Sequence, residues 1–274
     1  MAKRRPRAAG RPAPVSTPGD YPPLERLVAA GLYPVLCFQA WLWAEAQGDP
    51  LVWQQRFTAL APHLRMRDCV LPLLATHGLV TESPVQSRLW PSPGLDTGVP
   101  LPRWRLADDI GSPLEAEMLA GLALSRLRDA PSFIHEVCDV WYSLATAEVL
   151  SFLAAELLDH QFNDDWALNL ESQIGAAAQR LSIAQGFYFC WLAVRDVASA
   201  YLRFPGARDR LPHTLRHAFA SKLSKGQSEG WITRPFGRHI RCPESAMAAV
   251  FSTIVTQLGD GYLLLPPCPE NLRF

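Results

Sequence analysis

Lysine is almost missing from this chain: it occurs only at Lys3, Lys222 and Lys225, and arginine supplies the other 23 of the 26 basic residues. Together with 24 prolines and abundant alanine and leucine, that imbalance is the mark of a GC-rich, bacterial coding bias. The choice of arginine therefore says little about function, and only the placement of the cations is informative. Glycine-rich phosphate cradles are missing too. There is no P-loop and no dinucleotide-binding glycine pattern, which removes the commonest nucleotide-binding classes. The six cysteines (Cys37, Cys69, Cys138, Cys190, Cys242, Cys268) form no C-x-x-C, and most lie in apolar runs such as Val35-Leu36-Cys37-Phe38. That spacing suits buried free thiols in a reducing cytoplasm better than a disulfide framework. No cysteine sits in a catalytic context. The basic amino terminus is followed by proline and glycine instead of an apolar signal core, so secretion is not expected. The most membrane-like stretch, Val28 to Ala44, falls short of a span, contains Pro34 and Gln39, and is followed by Glu45. A buried helix pair is the better reading of it, and no membrane partner is expected.

What is present is a globular composition, 49% hydrophobic and 19% charged, in 274 residues. That is enough for one large domain or two smaller ones. Formal net charge is zero, yet the charges are segregated. Leu106 to Glu171 holds 13 carboxylates against Arg126 and Arg128 alone; Arg195 to Arg241 holds 10 cations against Asp196, Asp209 and Glu229. Lys3, Arg4, Arg5, Arg7 and Arg11 add a basic start. A basic arm, an acidic middle and a basic end can present opposite faces to different partners, one of them a polyanion.

Along the chain, residues 1–22 read as a disordered basic arm, residues 23–109 as a compact first domain, and residues 110–274 as a helical domain. In the first domain, helices are expected from Leu24 to Leu32 and from Pro34 to Ala46. A third, through Leu51, Phe57, Leu60, Ala61 and Leu64, ends near Pro62. The next is capped by Asp68, carries Pro72 in its first turn and stops at Gly78. Strand candidates follow at Leu79-Val80-Thr81, Ser87-Arg88-Leu89-Trp90 and Arg103-Trp104-Arg105-Leu106, the last two bracketing a Pro/Gly loop over 91–100. Helix, helix ending in His77-Gly78-Leu79-Val80, then two strands is the order of a winged helix, and residues 50–107 resemble that fold. The presumed reading helix is apolar after Arg65, Arg67 and Asp68, so it suits protein contact better than a DNA groove.

From Ser112 to Phe204 the chain is expected to be helical, with a capping box at Ser112-Pro113-Leu114-Glu115. Ser132 to His160 forms a helix apolar on most faces; Asn163-Asp164-Asp165 caps one running to Leu181; another spans Ile183 to Leu202. Beyond Phe204-Pro205-Gly206, Asp209 to Lys225 reads as a basic amphipathic helix and Gly230 to Arg241 as a basic hairpin. A last helix starts at Pro243 and runs to Leu258. The fold class is therefore mainly α: a winged-helix-like amino-terminal domain, then a helical bundle with a small carboxy-terminal β-hairpin.

Arg208, Arg210, Arg216, Lys222 and Lys225 on the helix, with Arg234, Arg238 and Arg241 on the hairpin, can supply two rows of cations to a phosphate backbone. Trp231 and Phe236 can stack on unpaired bases. The rival reading is that these cations pair with the acidic middle of the same chain. His213, His217, His239 and Cys242 have the residue types of a zinc site, although cations crowd them. His135, Glu136, Asp139, Glu156 and His160 are the candidates for a metal-dependent hydrolase or nuclease, but no Glu-x-x-His pattern occurs. The expectation is a cytoplasmic, non-catalytic subunit of a bacterial complex of mobile-element, defence or chromosome-maintenance type. It would bind DNA or RNA through its basic end and protein partners, or itself, elsewhere, without cofactor or metal. A metal-dependent hydrolase and a pure assembly scaffold are the alternatives.

Overall fold

Capping chemistry places several of the helix ends. The computed structural model describes residues 21–46, 60–83, 103–206, 208–228 and 236–272. It is mainly helical, with ten α-helices and one small two-stranded antiparallel sheet among those residues. Helices α1 (Pro23–Ala30) and α2 (Leu32–Ala46) open the fold, separated by Gly31 at φ +85°. α3 (Leu64–Thr76) ends at Gly78, φ +64°, where Leu79 N–H donates to Leu74 O and Gly78 N–H to Ala75 O. This paired return to the last carbonyls is the glycine stop expected there. Strands β1 (Val80–Ser83) and β2 (Arg103–Leu106) pair in the register Val80 opposite Leu106.

α4 (Pro113–Arg128) starts with the expected capping box, Ser112 and Glu115 each bonding the other's backbone. α5 (Phe133–Asp159) is the longest helix, followed by a 3₁₀ turn (Asp164–Leu170) and α6 (Glu171–Ala178). A second capping box, Ser182 with Gln185, starts α7 (Ile183–Arg203). α8 (Leu211–Ser228), α9 (Ala246–Val250, prolonged by a π turn through Val255) and α10 (Gly261–Leu264) complete the order.

Because α5 is apolar on nearly every side, it has to be surrounded, and it is. α7 packs along it, the 3₁₀ turn and α6 cover another flank, and α2 meets it from the amino-terminal half. Trp141, Leu144, Leu153 and Leu157 on α5 are fully buried. The helix is also long and apolar enough to cross a membrane by length and composition, but 67% of its apolar window is buried inside this fold. α1 and α2 lie on α4, and α9 packs on α2. Buried residues from Leu27 to Tyr262 thus join one hydrophobic core. Where α7 crosses α5, the chain uses glycine: a Cβ on Gly186 would stand 2.6 Å from Val149 Cγ2.

Several expected boundaries moved. Leu60 and Ala61 are buried but not helical, and Leu64 begins α3 instead of ending the helix before it. His63, not Asp68, caps α3: its Nδ1 accepts from Arg65 N–H at 3.3 Å, while Asp68 lies a turn inside and pairs with Arg67. Pro72 falls in the helix interior. α9 begins after Ser245, whose Oγ accepts from Ala248 N–H, and not at Pro243. The basic arm over 1–20, the helix over 51–59, the strand Ser87–Trp90 with its loop, and Gly230 to Pro235 lie outside the described residues. All six cysteines are free; Cys37, Cys138 and Cys190 are buried and Cys69 is exposed.

Candidate nucleic-acid interface

Between α7 and α8 the chain turns through Phe204-Pro205-Gly206 and a 3₁₀ turn, Arg208–Arg210. α8 buries Leu211, Leu215, Ala218 and Phe219, chiefly against α7, which leaves His213, Arg216, His217 and Ala220 on its exposed side. That spacing of three and four residues is a single helix face. Arg208 stacks over the Tyr201 ring at 5.3 Å, and Arg203 Nε donates to Ser199 O. Arg208, Arg210, Arg216 and Lys225 are all exposed, and none makes an ion pair among the described residues. At the same corner Leu202 and Phe204 are 79% and 67% exposed.

The other described cations of the expected surface, Lys222, Arg238 and Arg241, pair with carboxylates of the same chain. Lys222 Nζ lies 3.1 Å from Asp196 on α7. Residues 236–242 form no strand; they run as an irregular strap along α5. Arg238 closes on Glu148, whose residue is only 2% exposed, and reaches towards Glu244 at 3.7 Å. Three turns further along the helix, Asp159 takes both His239 Nε2 at 2.9 Å and Arg241 Nε at 3.0 Å. Cys242 Sγ donates to Ser151 O. Phe236 fills an aromatic slot between Trp191, 5.3 Å away, Tyr188 and Phe152. Arg234 and Trp231 are outside the described residues. The physical reason for the strap is Glu148 itself: a carboxylate in an apolar helix cannot be buried without a cation, and Arg238 is the one delivered. Burial pushes the Glu148 carboxyl above its usual range and the Arg238 guanidinium pulls it back.

So, among the described residues, Arg208, Arg210, Arg216 and Lys225 stay unpaired at the surface, while Lys222 on the same helix and Arg238 and Arg241 on the strap are paired within the chain. The hydrolase candidates fare differently. α5 is one unbroken helix, so His135, Glu136 and Asp139 stand about 30 Å from Glu156 and His160 at 1.5 Å per residue. They do not converge. Glu136 instead caps α2, its Oε2 accepting from Leu32 N–H at 3.1 Å and its Oε1 from Ser132 Oγ. Glu156 is half-buried, and burial raises its carboxyl against the opposing pull of His239 and His160. His213 and His217 face outward on α8 while His239 and Cys242 are engaged on α5. Among the described residues no three His, Cys, Asp or Glu side chains gather as a metal-holding group. One motif match escapes the sequence-based expectations: Gly226-Gln227-Ser228-Glu229-Gly230 has G-x-S-x-G spacing. A nucleophile elbow needs a strand-to-helix turn. Ser228 instead ends α8, and its Oγ donates to Lys225 O.

Compared with known proteins, the chain matches no protein-family model, no curated protein and no solved structure.

Proposed function

We propose that the chain is a non-catalytic, nucleic-acid-associated subunit of a larger cytoplasmic bacterial complex, of the mobile-element, defence or chromosome-maintenance kind. The observation that carries this reading is the exposed set Arg208, Arg210, Arg216 and Lys225, which forms no ion pair with a described carboxylate although carboxylates elsewhere take up Lys222, Arg238 and Arg241. Unpaired surface cations keep their potential for an external polyanion, and phosphate contacts release counterions when they form. Phe204, exposed next to Arg203 in the turn that leads to Arg208 and Arg210, supplies a face on which an unpaired base can stack. That favours single-stranded DNA or RNA.

The first domain belongs to the same proposal as a winged-helix-like protein-contact module, with α3 as its second helix and β1–β2 as its wing. Its described cations are already engaged, Arg26 with Asp109, Arg65 with Glu171, Arg67 with Asp68, and Arg105 with Asp108. A groove-reading helix needs free donors. The reading is tested by the triple substitution Arg208→Glu, Arg210→Glu, Arg216→Glu. Affinity for a labelled single strand, read by fluorescence anisotropy, falls at least about tenfold while the circular dichroism spectrum is unchanged; equal affinity rejects the proposal.

A further inference from the structure

α4 is apolar on two sides. Its inner side, Ala116, Ala120, Ala123, Leu124 and Leu127, is buried, as expected of a helix that α1 and α2 cover. Its outer side carries Leu114, Met118 and Leu122, spaced four apart and 67%, 62% and 53% exposed. Gly121 and Ser125 are exposed on the same face. Large apolar side chains stacked in one line on a surface helix mark an interaction site, whereas scattered ones do not. Gly121 adds an independent sign. Glycine weakens a helix interior relative to alanine, yet Gly121 has no positive φ and a Cβ there would meet nothing within 4 Å. Nothing among the described residues requires it. Gly186, by contrast, is required by the approach of Val149. A glycine open to solvent at the centre of an apolar stripe allows a second helix to approach closely.

We propose that α4 is the two-fold interface of a homodimer, packed antiparallel on α4 of a second copy of this chain and centred near Gly121. The charges beside the stripe select that occupant and that direction. Glu115 lies at the amino-terminal end of one flank and Arg126 at the carboxy-terminal end of the same flank. An antiparallel pair sets Glu115 of each copy beside Arg126 of the other and Met118 beside Leu122. A parallel pair would oppose like charges. The interface is isologous, because one surface complements itself. Arg126 already holds Glu25 at 2.7 Å, and Glu115 binds Ser112 N–H through Oε2, which leaves Oε1 for the other copy. α4 spans only about 24 Å, so the contact is small and the dissociation constant lies in the micromolar range. This inference does not depend on nucleic-acid binding.

Sedimentation velocity of the full chain tests it, from about 1 to 200 µM, a range that brackets a micromolar constant. The wild-type mass rises with concentration from 30.4 kDa towards twice that value. Met118→Glu stays monomeric throughout with an unchanged thermal midpoint, since the side chain is exposed. Arg126→Glu weakens the dimer about tenfold, the loss of a charge pair at the rim of each symmetric half. A wild-type chain that stays monomeric over the whole range overturns the proposal and leaves the stripe to a different protein. A dimer unaffected by both substitutions overturns it as well.

Discussion

The guanidinium of Arg238 closes on the carboxylate of Glu148, 90 positions earlier, and so ties an irregular strap to the middle of the longest helix. Tyr262 is buried beside Glu148 and stacks on Trp141 at 6.4 Å, and the Arg238 side chain is only 15% exposed. Removing one member leaves the other charge buried and alone. Arg238→Met or Glu148→Leu should each destabilise the protein by about 3 kcal/mol, and the double substitution should cost clearly less than the sum of the two. Urea denaturation of the four proteins gives the coupling directly. Additive losses would mean that the two side chains do not act as a pair.

His63 makes stability fall in mild acid. Its neutral Nδ1 caps α3, and burial lowers its pKa from the ordinary 6.5. The folded chain therefore binds the proton less readily than the unfolded chain. The stabilisation is complete above about pH 6.5 and is lost as pH falls below it. His63→Asn keeps a capping oxygen and removes the titration. The difference in unfolding free energy between wild type and His63→Asn should shift by about 0.5–1 kcal/mol in favour of the variant between pH 8 and pH 5. A constant difference over that range would contradict the assignment.

Gly186 should tolerate no methyl group. Alanine ordinarily gains about 1 kcal/mol over glycine in a helix, but here the Cβ would meet Val149 Cγ2 at 2.6 Å. Gly186→Ala should lower stability by about 1–3 kcal/mol, and adding Val149→Ala should recover part of the loss. The denaturation midpoint decides the sign. A stabilised Gly186→Ala protein would show that the α5–α7 crossing is looser than described.

Features set by neighbours in sequence were legible and features set by distant partners were not. The capping box at Ser112 and the glycine stop at Gly78 are local chemistry, and they fall where the sequence puts them, whereas the helix expected to run to Leu258 ends at Val255. The burial of α5 follows from its lack of a polar face. His63 was missed because imidazole is an uncommon cap and Asp68 a common one. The strap was missed because alternating residues around Pro235-Phe236-Gly237 imitate a hairpin. Its true determinants, Glu148, Asp159 and the slot at Phe152, lie in another helix. One signal was available: Glu148 is the only charged residue from Leu144 to Leu153, in a helix apolar on most faces, and a buried carboxylate requires a cation. The same reasoning divides the basic end. Charge opposition within the chain accounts for Lys222, Arg238 and Arg241, and leaves Arg208, Arg210, Arg216 and Lys225.

Whether that remaining set holds a phosphate backbone is tested most directly by the salt dependence of binding. Affinity of the full chain for a single-stranded oligonucleotide should be measured from about 50 to 200 mM monovalent salt. Four phosphate contacts predict a slope of log affinity against log salt of about −3, reduced to about −1 in the Arg208→Glu, Arg210→Glu, Arg216→Glu variant. A wild-type affinity that stays flat across that range, or a slope the variant leaves unchanged, would contradict the account.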